Sequence, residues 1–254
     1  MLNTWQDATI VIAVVCLTLF FQLLLERVWP RRRRQEHNDI IGWQLGILGT
    51  TYAVILGFML YTVWTNFGLA EINADAEANS ATNIFRLAEG LPDPQRNQVR
   101  EAIRAYVDVV IEKDWPEMER AGTGLLESHR LNQTLWHIFG TIRAATPEQL
   151  TSEDHALYEM SSLAEHRRIR LLQSTSRLPG ILWWVLLVGG VVTIVSACLM
   201  GGTNGPLHTF QVLCFSLLIG LVLVAIADID RPFQGSVHVG DEPFRRAQMN
   251  MNEP

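Results

Sequence analysis

The side chains that could do chemistry in this 254-residue chain are few, and their spacing narrows them further. Four acids gather in EKDWPEMER, residues 112–120: Glu112, Asp114, Glu117 and Glu119. They could hold a cation or form an acidic vestibule, but a solvated helix end with Trp115 packed beneath it uses the same residues. Asp228, Asp230 and Arg231 close the last long apolar run in ADIDRPF. Two carboxylates two residues apart on a helix point away from each other, so they make a poor acid–base pair. An ion or gating site at membrane depth is the sharper reading of these three residues. A local pairing with Arg231 at the interface is the plainer one. The seven histidines have no metal spacing, with His129 and His137 eight apart and no HExxH. Ser128-His129 has no glycine elbow around the serine. GGTNG, residues 201–205, lacks the Lys-Ser/Thr ending of a phosphate loop. Cys16, Cys198 and Cys214 all fall in apolar runs without a CxxC pair. Nothing here points to an enzyme, a metal centre or a cofactor.

The densest charge is VWPRRRRQEHND, residues 28–39, with four arginines directly after an apolar run. The chain as a whole carries net charge −6 and only 18% charged residues, so no global basic field exists for nucleic acid. A nucleic-acid surface would also interleave arginine with aromatic side chains on a folded platform. Arg31 to Arg34 therefore mark the edge of a membrane.

Four runs are long and apolar enough to cross about 30 Å of hydrocarbon, which takes about 20 residues of helix. They cover about 8–28, 40–64, 180–200 and 210–227. The first lacks the basic lead and small-residue cleavage site of a signal peptide, so it stays as an anchor. GGTNGPLH forms a hairpin loop between the last two. These runs predict an all-α membrane protein: hairpins over 1–67 and 179–230, a helical extramembrane insert over 68–178, and a tail over 231–254.

The alanine-rich stretch AEINADAEANSATNIFRLAEGL lacks an early breaker, so the second span should continue into the insert as one helix of about fifty residues and about 75 Å. LPDP, residues 91–94, should stop it, because the residue before proline disfavours helix. Val99, Ile103, Tyr106, Val107, Val110 and Ile111 form an amphipathic stripe on the next helix. Leu135, Ile138, Phe139 and Ile142 do so on a third, from about 131 to 142. A fourth is expected from TSED, with Thr151 and Asp154 resembling a capping box, to Arg177. HRRIRLL, residues 166–172, could meet anionic lipid headgroups or draw anions to a pore mouth. A solvated face explains it equally well.

Several stretches resemble a family of bacterial and plant membrane proteins described as bestrophin-like: HND at 37–39, GTTYAVILGFMLYTVW at 49–64, EA at 77–78, LPDPQR at 91–96, DWPEM at 114–118 and DRPFQGSV at 230–237. The resemblance spans most of the chain. It implies a homo-oligomer, pentameric as in bestrophin anion channels, with a pore lined by the second span and with the insert and both termini cytoplasmic. The expected partners are the lipid bilayer, further copies of the chain and small inorganic ions, in a bacterial inner membrane. Only Asp241 and Glu242 follow Phe233, where the calcium clasp of animal bestrophins has a dense acidic run, so a calcium gate is not implied. The arginine block argues for the opposite sidedness, since basic residues in short loops favour the cytoplasm.

The second span carries two stripes at 100° per residue. Gly42, Gly46, Gly49, Ala53 and Gly57 fall within about 80°, a surface on which another helix can approach closely. Opposite them, Gln44, Thr51, Ile55, Phe58 and Thr62 fall within about 60°. This second stripe could line a narrow pore, with Ile55 and Phe58 as an apolar constriction. Alternatively its hydroxyls bond back to their own helix and the face meets lipid. A channel of small ions, more readily anions, is the leading expectation. A cation-selective channel and a non-conducting scaffold or sensor remain open beside it.

Overall fold

Hydrocarbon leaves a backbone few choices, because every N–H and C=O must be satisfied internally. The computed structural model describes residues 4–121 and 126–252, and among these all regular structure is helical. The elements run α1 Thr4–Val28, α2 Arg31–Arg34, a 3-10 turn Gln35–His37, α3 Asn38–Leu87, a 3-10 turn Ala88–Gly90, α4 Gln95–Val109, a π turn Val110–Asp114, α5 Trp115–Ala121, α6 Leu126–Gly140, α7 Pro147–Thr175, α8 Gly180–Leu199, α9 Gly205–Ile229 and α10 Glu242–Asn252. Four stretches are long and apolar enough to span a membrane: Trp5–Val28, part of Arg31–Gly90, Gly180–Leu199 and Gly205–Ile229. Their chain order makes two hairpins with the insert between them. The chain divides into two units, a membrane unit (Leu2–Thr65 with Arg177–Asp230) and an insert unit (Asn66–Ser176 with Arg231–Pro254).

In the membrane unit α1 packs along α9, and α8 also packs on α9. The inner face of α3 adds Tyr52, Leu56 and Val63 to a cluster with Leu186, Ile219 and Ile226. Close approach is achieved on α8. Tyr52 donates its hydroxyl to the Leu186 carbonyl at 2.8 Å. A Cβ at Gly189 would lie 2.7 Å from the Tyr52 ring, and one at Gly190 2.9 Å from its hydroxyl. Small hydroxyl side chains satisfy themselves on their own helices, as Thr18 does on Val14, Thr193 on Gly189 and Ser196 on Val192. Large apolar side chains such as Phe20, Trp43 and Trp184 stay exposed, as lipid-facing residues should.

The insert unit is built on α3's second half. Ala70, Ala74, Ala78, Ala81 and Ala88 are all buried, so the alanine-rich stretch is a close-packing face. Against it lie Val99, Ile103, Tyr106, Val107 and Val110, all fully buried as their periodicity predicts, with Leu135, Met160, Leu163, Phe233 and Phe244. Each such aliphatic or aromatic side chain contributes about 1.5–3 kcal/mol of transfer energy. α3 ends where LPDP requires, with Leu91 extended before Pro92.

Three sequence expectations need correction. α6 starts at Leu126, five residues earlier than expected, and α7 ends at Thr175 rather than Arg177. The cap of α7 is formed by Thr146 and Gln149, ahead of TSED: Thr146 Oγ1 accepts from the Gln149 N–H at 3.3 Å, and Gln149 Oε1 accepts from the N–H of Ala145, just before the cap, at 2.9 Å. Thr151 instead donates to the Pro147 carbonyl, inside the helix. The π turn was not anticipated. It precedes Pro116, which has no N–H for the carbonyl four residues back and so loosens the ladder there.

Gly189→Leu should lower the melting temperature of the detergent-purified protein, because overpacking against Tyr52 costs about 1–3 kcal/mol. Gly42→Ala, with nothing within 4 Å of its added Cβ, should leave it unchanged. Equal losses in the two variants would contradict the packing described.

Candidate functional site

The membrane part of α3 has its inner face occupied and two flanks left open. Gln44, Thr51, Phe58 and Thr62 are exposed, and Phe58 retains 66% of its accessible surface. Ile55 is half-buried against the Tyr52 cluster, so the apolar pair is unequal and Phe58 projects more freely. Thr62 donates to the Phe58 carbonyl at 2.8 Å, which anchors the backbone end of that stripe. On the opposite flank a Cβ added at Gly42, Gly46, Gly49 or Gly57 would meet nothing within 4 Å. Ala53 is exposed there as well. No helix of the same chain fills either flank among the described residues.

At the ends of the spans the charged groups do structural work. Asp230 Oδ1 accepts the Leu178 N–H at 2.9 Å, joining the end of α9 to the approach of α8. Asp228 is buried on α9. The carbonyl of Arg231 accepts the Gln234 N–H at 2.9 Å in a turn.

The arginine block is divided in its roles. Arg32 and Arg33 are exposed. Arg31 pairs with Glu26 and donates to Thr209 Oγ1 at 3.4 Å. Arg34 is fully buried and donates through Nη1 to the Cys198 carbonyl. That carbonyl lies in the last turn of α8, where helix ends leave unpaired acceptors and partial negative charge. Asn38 and Gly201 exchange two hydrogen bonds, of 2.9 and 2.8 Å. Sequence reasoning read the block only as a membrane edge and missed this clamp.

The insert unit holds a buried charge network that the sequence reading also missed. Arg170 and Glu77, both fully buried, form a two-point ion pair: Nε to Oε2 at 2.7 Å and Nη2 to Oε1 at 3.0 Å. Tyr106 donates its hydroxyl to Glu77 Oε1 at 2.5 Å. Asp114, in the π turn, lies 3.5 Å from Arg170. The Arg170 guanidinium also faces the rings of Trp115 and Phe244, at 5.3 and 5.8 Å. Arg167 donates twice to Ser128 Oγ, at 3.1 and 2.9 Å. Burial opposes the charge on Arg170, but the Glu77 carboxylate, with Tyr106 and Asp114, outweighs it and raises its pKa. Burial, reinforced by Glu77, raises that of Tyr106.

Of the acids in EKDWPEMER, only Asp114 joins this network. Glu117 pairs with Arg120 at 3.0 Å and Glu119 approaches His238 at 3.9 Å. Trp115 packs beneath them against Phe233 and Phe244. HRRIRLL must be corrected in part: Arg167 and Arg170 point inward, and Arg168 pairs with Glu165 at 2.8 Å. No group of three His, Cys, Asp or Glu side chains is poised for a metal among the described residues.

Four spans in two hairpins, a long helix shared by both units and a helical insert define a class of fold that comparisons recognise. A bestrophin-like domain matches residues 12–244, and the chain belongs to the bestrophin-like family. A variant of a bacterial bestrophin homolog from Klebsiella pneumoniae superposes with a TM-score of 0.70 at 13% identity, covering 95% of this chain and 97% of that one. A further structure of a bacterial bestrophin homolog from the same organism gives 0.69 at 13% identity, covering 94% and 96%. A variant described only as a membrane protein gives 0.71 at 12% identity, covering 95% and 97%. No curated protein matches significantly. At these identities the structures establish the fold alone.

Breaking the buried pair should be costly. Glu77→Gln leaves Arg170 buried without its counter-charge, a loss of about 3–5 kcal/mol, and the double variant Glu77→Gln with Arg170→Met should recover part of the melting temperature. No recovery would argue against direct coupling. Asp114 gives a pH test. Burial, partly offset by Arg170, holds its carboxyl above the ordinary value of 3.8. A carboxyl whose folded pKa exceeds its unfolded one costs stability once ionised; the cost is absent below 3.8 and grows as pH rises through the folded value. Asp114→Asn removes it, so the variant should gain on wild type as pH rises through that window. Wild type gaining on the variant instead would contradict the assignment.

Proposed function

We propose that the chain assembles with copies of itself, five by the family resemblance, into a channel for small inorganic ions in a bacterial inner membrane, with the insert cytoplasmic. The observation that carries the reading is the open flank of α3. An uncharged polar stripe of Gln44, Thr51 and Thr62, interrupted by Phe58, runs along a membrane helix, and the same chain leaves it exposed. Four helices with one such stripe cannot enclose a pathway alone, whereas a ring of α3 helices from several copies can. In that ring Phe58, with Ile55 beside it, forms an apolar constriction that gates by dewetting. The fold shared with bacterial bestrophin homologs supports the same arrangement.

Anion preference follows from the family resemblance. Excess acid in the insert favours cations if that unit lines a vestibule, which makes a cation-selective channel the second reading. Current through purified oligomers in a planar bilayer under a KCl gradient separates the two. The expected reversal lies near the chloride equilibrium potential, and a value near that of potassium would establish the second reading. Phe58→Ala should raise unitary conductance more than Ile55→Ala, because Phe58 is the more exposed side chain. Absence of current from oligomers shown to be intact would replace both with a non-conducting scaffold.

A further inference from the structure

The glycine flank of α3 fronts a groove within the membrane unit. One stretch of it, about 500 Å³, is bounded by Gly46, Gly49 and Thr50 of α3 and by His208, Gln211 and Phe215 of α9. A second stretch, about 290 Å³, continues past Ala53 and Gly57 towards Leu218 and Val222. The two share Gly49 and Phe215, so they form one channel-like depression. Gly46, Gly49 and Gly57 have open space where a side chain would stand. From His208 to Val222 the groove follows about 21 Å of helix, at 1.5 Å per residue. That exceeds half the hydrocarbon thickness of about 30 Å.

The two ends differ in chemistry. Ala53, Leu56, Gly57, Leu218 and Val222 make one end apolar. The other end sets Thr50, His208 and Gln211 among apolar side chains such as Leu45, Met200 and Val212, and it adjoins the arginine block: Arg31 donates to Thr209, next to His208, and Arg34 to the carbonyl of Cys198, next to the groove residue Ala197. Between Glu26 and Asp39 five arginines face three carboxylates, an excess of positive charge at this edge. His208 Nε2, Arg31 Nε and both Nε and Nη2 of Arg34 are buried donors or acceptors without a partner among the described residues. An apolar slot of this length, with His208 and Gln211 at one end and the positively charged arginine turn beside that end, has the polarity of one lipid. Basic pockets between membrane helices recognise anionic headgroups in this way.

We propose that the groove between α3 and α9 holds one anionic phospholipid, its phosphate at His208 and the Arg31–Arg34 turn and an acyl chain along Gly46 to Gly57. The site lies on the flank of α3 opposite Gln44, Thr51 and Phe58 and does not depend on conduction.

Native mass spectrometry of the full chain in detergent tests this, with phosphatidylglycerol and phosphatidylcholine of identical acyl chains as probes. Wild type should retain phosphatidylglycerol about fivefold better than phosphatidylcholine. Gly49→Leu, which fills the shared part of the groove, should lower that retention without changing melting temperature or oligomeric state. His208→Leu should reduce the preference between the two lipids. Equal retention of both lipids by wild type, or undiminished retention by Gly49→Leu, overturns the proposal. So does disruption of the oligomer by Gly49→Leu with lipid retention intact, which would assign the groove to a second copy. Inorganic phosphate stabilising the protein as much as phosphatidylglycerol would overturn the acyl-chain part, leaving only an anion site.

Discussion

One helix must satisfy two solvents. α3 runs unbroken for 50 residues from Asn38 to Leu87, and its first half lies in a unit of membrane spans while its second belongs to the insert. In hydrocarbon a helix is the conformation that closes all its own backbone bonds. In the insert the same conformation persists because alanines every three or four residues let α4 and its neighbours pack closely. Each half leaves its signature on the side chains: glycines, threonines and large apolar groups in the first, alanines and a single buried acid in the second. Glu77 is that acid. It holds a fully buried arginine and tyrosine, so the insert's interior is specified by charge as well as by volume.

Charge is used in a comparable way at the membrane edge. Arg34 meets the carbonyl end of α8 and Asp230 meets an N–H ahead of that same helix. Each side chain has the sign that the helix end it meets requires. The spans are thereby tied by ionic groups at their rims and by apolar contacts, centred on Tyr52 and Gly189, within. The open flanks of α3 are what remain after these internal demands are met. One flank is an uncharged polar stripe interrupted by Phe58, and the other is a glycine-lined groove.

How much of this could be read from sequence follows from the range of each interaction. The four spans, the fifty-residue α3 and its stop at LPDP were legible, because length, hydropathy and proline act locally. So were the buried faces of α4 and α6, through their periodicity. The Glu77–Arg170 pair was not, because its partners are 93 residues apart and neither breaks a local pattern. Arg34 stood inside a run of four arginines that read as a single feature. The cap of α7 had a visible signal in Thr146-Pro147-Glu148-Gln149, a T-x-x-Q box with proline at the first helical position. The neighbouring TSED obscured it. The stripes on α3 were legible as stripes, but periodicity does not say what lies against them.

The most direct measurement is therefore of water on the two flanks of α3. With Cys16, Cys198 and Cys214 replaced, single variants Thr51→Cys, Phe58→Cys and Thr62→Cys are compared with Ala53→Cys and Gly57→Cys for reaction with a charged thiol reagent in reconstituted protein. A pore on the Gln44–Thr62 flank predicts faster labelling at Thr51 and Thr62 than at Ala53 and Gly57, with Phe58 slowed at the constriction. Equal rates on both flanks, or faster labelling at Ala53 and Gly57, would contradict it.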